Sequence, residues 1–252
     1  MAKNISLEGK KSVVTGAAKG IGKSIATYFA ELGSDLALVD VDEVSLKETA
    51  EEIRGKERRV YEIVADLTSL KDIERIARES VEKLGEVDVL VNNAGVSFLN
   101  PAEKLTEEEW DKTLAVNLKG LYFLSQAIGR HMIEKRSGKI VNIASQAAVV
   151  ALEGHVAYCA SKAGVVAVTK VLALEWGKYN INVNAIAPTI IMTPMGKKAW
   201  SGEKGRKMLE RIPLGRFGEP EEVAYTAAFL ASDLSDMITG TTIMVDGGYT
   251  IQ

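Results

Sequence analysis

Lys11-Ser-Val-Val-Thr15-Gly16-Ala-Ala-Lys19-Gly20-Ile21-Gly22 decides how the chain is read. Lys11–Thr15 has an apolar centre and the length of a short strand. Beyond the glycines, Lys23–Leu32 has helical spacing and stops at Gly33, a residue suited to the left-handed turn after a helix. Leu36–Val39 is a second strand, and Asp40 ends it. This order of strand, glycine turn, helix, strand and acid describes a βαβ unit with a right-handed crossover.

Glycine permits a tight turn and a close backbone approach, and a helix N-terminus presents free N–H groups to a pyrophosphate. The spacing is G-x-x-x-G-x-G, not the commoner G-x-G-x-x-G. Its place between strand and helix is nonetheless what phosphate binding requires. Gly16, Lys19, Gly20, Ile21 and Gly22 are therefore candidate cofactor contacts. Asp40 lies 18 residues past Gly22. An acid there accepts hydrogen bonds from the adenosine ribose hydroxyls and repels a 2′-phosphate, which favours NAD over NADP. Lys19 pulls the other way, since a cation in the turn suits that phosphate. Asp40 outweighs it because its carboxylate meets the phosphate directly.

Working outward, the alternation continues. Ser45–Arg54 reads as a helix, Val60–Val64 as a strand leading to Asp66, Leu70–Leu84 as a helix and Val87–Val91 as a strand before Asn92-Asn93-Ala94-Gly95. Glu107–Arg136 is a long helical region, one helix or two. Gly138–Ala144 is a strand ending at Ser145. A helix around Tyr158 runs to Trp176, then Asn182–Ala187 is a strand. Residues 188–213 form an irregular stretch or a lid. Glu221–Ala231 is a helix and Thr242–Val245 the last strand. Near-continuous Val/Ile/Leu strands alternating with helices indicate a parallel sheet covered on both faces. The expected fold is α/β, a single doubly wound domain over 1–252 with about seven strands.

The chain of 252 residues is 46% hydrophobic, ample for a large core, and its net charge of −3 gives no footprint for nucleic acid. One cysteine, Cys159, excludes an internal disulfide and points to a cytoplasmic setting. The first ten residues lack the apolar core of a signal peptide, and no uninterrupted apolar run reaches the ~18 residues of a membrane span. No metal-ligand spacing stands out.

Tyr158 and Lys162 lie four apart on a helix and so share a face. An ammonium beside a phenol favours the phenolate. For a tyrosine to act as a base near neutrality its pKa, ordinarily about 10, has to fall by about 3, or roughly 4 kcal/mol. Alone, the pair marks only a shared helix face. Ser145 alone reads as a strand-end cap, and Asn117 as a helix polar group satisfied locally.

Taken together, Thr15-Gly-x-x-x-Gly-x-Gly22, Asn92-Asn-Ala-Gly95, Asn117, Ser145 and Tyr158-x-x-x-Lys162 resemble the short-chain dehydrogenase/reductase family over essentially the whole chain. The resemblance implies a Rossmann-like fold and hydride transfer between a nicotinamide cofactor and an alcohol or ketone. It implies Tyr158 as general acid/base and Lys162 as the group that lowers its pKa and holds the nicotinamide ribose. It implies Ser145 as donor to the reacting oxygen and Asn117 as holder of a water that links Lys162 to solvent. Asp66 and Leu67 would flank the adenine, Asn93, Ala94 and Gly95 the ribose side, and Pro188, Ile191 and Thr193 the carboxamide. The family usually has Pro-Gly where this chain has Pro188-Thr189, so a glycine-only backbone there is not expected.

Ser145-Gln-Ala, His155-Val-Ala-Tyr-Cys-Ala-Ser-Lys, Gly196-Lys-Lys-Ala-Trp200 and the tail Asp246–Gln252 further resemble bacterial polyol dehydrogenases of D-threitol type. That resemblance implies oxidation of a secondary hydroxyl to a ketose, with Gln146, Glu153, His155 and Trp200 as candidate substrate contacts. His155 also reads as a helix-start residue, Glu153 as a solvated turn and Trp200 as a surface anchor. A ketone or 3-oxoacyl thioester reductase is the rival enzyme, and a catalytically silent NAD-binding regulator the rival of another class. The helix from Ala157 to Glu175 is apolar on most faces and needs a second covering beyond the sheet. A homo-oligomer is expected, and the resemblance implies a homotetramer.

Overall fold

Seven parallel strands run in the order β3-β2-β1-β4-β5-β6-β7 in the computed structural model. The structure describes residues 4–56, 58–193, 196, 200 and 202–251. The strands are β1 (Lys11–Thr15), β2 (Asp35–Asp40), β3 (Val60–Val64), β4 (Val89–Asn92), β5 (Gly138–Ile143), β6 (Ile181–Pro188) and β7 (Thr242–Val245). The helices are α1 (Gly20–Glu31), α2 (Glu43–Arg54), α3 (Leu70–Leu84), α4 (Glu107–Leu114), α5 (Leu121–Lys135), α6 (Val156–Trp176), α7 (Gly202–Leu209) and α8 (Pro220–Ala231).

The strands alternate their side chains between two cores. In β2, Leu36 and Leu38 face the layer of α1, α2 and α8, whereas Ala37 and Val39 face α3 and α5. Both sides being buried explains why these strands read as unbroken apolar runs. The helix starts are chemically set. Asp42 accepts from the Ser45 amide to cap α2, Ser69 from the Asp72 amide to cap α3, and Thr106 with Glu109 forms a capping box on α4.

Two expectations need refinement. The long region at 107–136 is two helices joined by a π-helical stretch, Ala115–Gly120, and such stretches often occur at functional sites. The 188–213 stretch is not wholly irregular, since it contains α7. Residues 194–195, 197–199 and 201 of it lie outside the described residues, as do Lys197, Lys198 and Ala199 of the Gly196–Trp200 motif and the terminal Gln252. Residues 156–179 are long and apolar enough by composition to cross a membrane. In this fold, however, Ala157, Val165, Leu172 and Ala173 of α6 are buried in the protein, and the helix carries Lys162 and Lys170.

The strand order reverses direction between β1 and β4, and in such sheets ligands bind at the carboxyl ends beside that switch. Thr15, Asp40, Asn92, Ser145 and Pro188 all stand at or just beyond those ends.

Candidate active site

The glycine turn is built as a cradle. Gly16 and Gly20 have φ of +64° and +59°, conformations that disfavour any side chain. A Cβ on Gly22 would stand 2.1 Å from the Gly16 carbonyl oxygen. The N-cap of α1 is Lys19, with no side-chain cap and no acid in the first turn. The free N–H groups and positive dipole end of α1 are thus left for an anion, and the residues present fit a dinucleotide pyrophosphate.

Thr15 and Asn93 fasten this turn to β4. The Thr15 hydroxyl accepts from the amides of Asn93 (3.0 Å) and Ala94 (3.1 Å), and Asn93 Nδ2 donates to the carbonyls of Thr15 (2.9 Å) and Gly16 (3.1 Å). Asn93 therefore locks the cradle, with its side chain turned to the protein backbone. At the end of β2, the Asp40 carboxylate accepts from the amides of Ala18 (3.0 Å) and Asp42 (3.1 Å). Asp66 accepts from the Thr68 amide at 2.8 Å, which holds its carboxyl below the usual range. Leu67 is buried, and its carbonyl would meet a Cβ on Gly120 at 2.6 Å. Thr193 packs against Gly20, whose Cβ would meet the Thr193 methyl at 3.1 Å, and Ile191 is buried. Among the described residues only Arg136 and Asn180 are non-glycines at positive φ, so Thr189 does not adopt a glycine-only backbone, as expected.

The chemical centre lies where β5 meets α6. Ser145 follows β5, while Tyr158 and Lys162 stand on the first turns of α6. Lys162 is fully packed, donates to the Ile143 carbonyl at 2.7 Å and lies 5.6 Å from the centre of the Tyr158 ring. Burial pushes the Tyr158 phenol up, and the adjoining Ser145 hydroxyl pulls it back. The phenol is thus held above 10, opposite to the fall a base requires. Burial pulls the Lys162 ammonium down to about 8.

Asn117, fully buried in the π-helical stretch, accepts from the Val96 amide (2.8 Å) and donates to the Val96 carbonyl (2.9 Å) and the Ser161 hydroxyl (3.1 Å). Ser161 in turn donates to the Tyr158 carbonyl at 2.8 Å. Asn117 thereby ties the segment after β4 to the tyrosine helix, and a Cβ on Gly95 would sit 3.4 Å from Asn117 Oδ1 and 3.6 Å from Lys162 Nζ. Thr15 and Ser161 carry this architecture, and neither was among the candidate site residues read from sequence. A threonine before the first glycine was the available signal for one, and the i+3 position after Tyr158 for the other. Beneath them Asn92 Nδ2 donates to Ser125 and to Asn142 Oδ1, and Asn142 donates to Thr169, all at 2.9 Å.

Of the four candidate substrate contacts, Glu153 and His155 line one cleft. Gln146 is buried, and its amide oxygen has no partner among the described residues. His155 donates from Nδ1 to the Glu153 carbonyl at 2.7 Å and meets the Tyr158 ring edge-on at 6.1 Å. With Glu153, Glu103, Pro101 and Cys159 it lines a cleft of about 430 Å³ that Ser145, Gln146 and Tyr158 do not line. Trp200 packs beside Phe217 and Val150 on a cluster of Ile190, Met208, Ile212 and Tyr249.

The buried ammonium has a measurable cost. A Lys pKa of about 8 in the fold against 10.5 unfolded amounts to about 3 kcal/mol. Below pH 8 the folded state bears all of it, and the cost fades between 8 and 10.5 as the fold sheds the proton first. Lys162→Met is therefore expected to stabilise the apoprotein by about 2 kcal/mol at pH 7, after the orphaned Ile143 carbonyl is counted. Urea unfolding should show this gain shrinking towards pH 10. A variant less stable than wild type at pH 7 would contradict it.

A family model described as enoyl-(acyl carrier protein) reductase matches residues 16–250. The NAD-dependent glycerol dehydrogenase of Listeria innocua is 51% identical over 99% of this chain and 97% of its own length. The D-threitol dehydrogenase of Mycolicibacterium smegmatis is 46% identical over 98% and 95%. A 3-oxoacyl-[acyl-carrier-protein] reductase of Thermotoga maritima is 43% identical over 97% and 99%. The structure of an NAD+-bound xylitol dehydrogenase superposes with a TM-score of 0.93 at 30% identity, covering 98% and 100%. Another solved neighbour has NADP bound.

Proposed function

The chain belongs to the short-chain dehydrogenase/reductase family, and from that premise we propose that it oxidises a secondary hydroxyl of a small polyol, D-threitol-like, to a ketose with NAD, reversibly. The observation that carries the reading is the convergence of Ser145, Tyr158 and Lys162 where β5 meets α6, at the sheet edge that also holds the glycine cradle and Asp40. The names of the two relatives at 51% and 46% identity support the polyol, and the unpaired amide oxygen of buried Gln146 supports a substrate rich in hydroxyl donors.

Bound NAD supplies the hydride acceptor and a positive charge. The cradle of Gly16, Gly20 and Gly22 would hold its pyrophosphate, Asp40 its adenosine ribose and Lys162 its nicotinamide ribose. Tyr158, as phenolate, takes the proton of the substrate hydroxyl while the hydride leaves the same carbinol carbon. Ser145 donates to the oxygen as it becomes a carbonyl. This pairs a positioned base with an oxygen-stabilising donor. Asn117 keeps the segment around Gly95 close to Lys162. Burial raises the phenol, and the positive charge of a bound cofactor would act in the opposite sense.

We read the chain as one domain, with the 188–213 segment closing over the substrate and Trp200 among its anchors. A cytoplasmic location, with no nucleic-acid or membrane partner, is the reading that net charge and the single cysteine support. A second copy is the partner for α6. Its exposed apolar positions are Val156, Ala160, Ala163, Ala167, Val171 and Leu174, with Leu174 84% exposed. They are nearly symmetric about Val165, small at the centre and large at the ends, which suits antiparallel packing on an identical face about a two-fold axis. A homotetramer built on this contact is the proposed assembly. Ala163→Glu is expected to shift the sedimentation coefficient to a smaller species. A wild-type monomer at micromolar concentration would contradict the assembly.

The activity is tested by following NADH at 340 nm with glycerol, D-threitol and xylitol, beside NADPH consumption with a 3-oxoacyl thioester. The 43% identical reductase makes the thioester reaction the second reading. Turnover of at least one polyol with NAD, and none of the thioester, is expected. The reverse pattern would replace the first reading by the second.

A further inference from the structure

We propose that Asp42 is a second determinant of cofactor choice, holding Lys19 in an ion pair so that this cation is withheld from a 2′-phosphate. The proposal rests on the NAD reading above and deepens it.

Lys19 is the N-cap residue of α1 and the one cation inside the glycine turn. Its ammonium donates to Asp42 Oδ2 at 2.6 Å. Asp42 is itself fixed. Its Oδ1 accepts from the Ser45 amide at 3.1 Å, its Oδ2 from the Ser45 hydroxyl at 2.9 Å, and its own amide donates to Asp40 at 3.1 Å. The carboxylate therefore cannot swing away from α2 without uncapping that helix. The next cation along α1, Lys23, is paired across to α2 in the same manner, with Glu52 at 2.7 Å.

The electrostatic consequence is local. Asp40, Asp42 and Lys19 together leave one net negative charge beside the adenosine end of a dinucleotide lying in the cradle. The Lys19 and Ser45 contacts hold the Asp42 carboxyl down to about 2, so the charge persists at any working pH. An exposed pair of this kind adds little to stability, so its effect is on where the ammonium sits. A 2′-phosphate meets Asp40 and finds the cation of the glycine turn already held.

Asp42→Ser removes the charge and keeps a good N-cap, so α2 stays capped; Asp42→Asn is the second variant. Calorimetric binding of 5′-AMP and 2′,5′-ADP reads out the 2′-phosphate alone, without turnover. Affinity for 2′,5′-ADP is expected to rise about tenfold in both variants, the scale of one unit charge a few ångströms from a phosphate in water, with 5′-AMP unchanged within about twofold. The gain should fall with added salt and vanish in Lys19→Ala/Asp42→Ser. Unchanged 2′,5′-ADP binding in both single variants, or a gain that survives loss of Lys19, would overturn the proposal while leaving the NAD reading intact. A wild type that already prefers 2′,5′-ADP would overturn that reading and the proposal with it.

Discussion

Tyr158→Phe is expected to lower polyol oxidation by about 10³-fold or more while leaving NAD affinity within about threefold of wild type. The substitution removes one oxygen from a half-buried ring and leaves the packing of α6 untouched. Lys162 keeps its bond to the Ile143 carbonyl, and the glycine cradle is remote from the change. What is lost is the hydroxyl beside Ser145 that takes the substrate proton in the proposed reaction. Initial rates at saturating substrate and calorimetric NAD binding test the two halves separately. Turnover within tenfold of wild type would remove Tyr158 from its role. Loss of NAD binding of equal size would make it a cofactor residue instead.

Gly22→Ala is the second large effect, and it should fall on binding. The added methyl would lie 2.1 Å from the Gly16 carbonyl oxygen and 2.5 Å from Asn93 Nδ2, both inside the latch that fastens the turn to β4. The first is backbone and the second is tied to the Thr15 and Gly16 carbonyls, so the turn itself must move. The first-turn N–H groups of α1 would then no longer converge on a pyrophosphate. NAD affinity is expected to fall by about 10²-fold, with a loss of a few kcal/mol in stability from the same clash. A fluorescence titration with NADH and a denaturant melt read these two quantities. A variant that binds NADH as tightly as wild type would show that the cradle is not the phosphate site.

Much of this was legible in the sequence because its signals are local. The unit from Lys11 to Asp40 carries strand, turn, helix and acid in order, and the observed parallel pairing of β1 with β2 follows from it. Tyr158 and Lys162 are linked by helix periodicity, so their shared face needed no tertiary information. Asn93 was harder, since its type suited a ribose contact and only the folded chain shows its amide spent on Thr15 and Gly16. Asp42 was not singled out from sequence, because its hold on Lys19 crosses from one helix to another. The different settings of Gln146 and Glu153 were hidden for a related reason. Proximity in sequence does not decide burial, and the chain buries the first while exposing the second. The ionisation state of the centre was also hidden, because desolvation of Tyr158 and Lys162 depends on everything packed around them.

The central claim is that a hydride leaves a secondary carbinol carbon of a small polyol and is captured by NAD. The most direct measurement uses a polyol turned over in the assay, deuterated at its secondary carbons, with mass analysis of both products. One deuterium is expected in the NADH and one fewer in the ketose. Deuterium retained in the sugar or released to water, or no transfer from any polyol in a protein that reduces a 3-oxoacyl thioester, would contradict it.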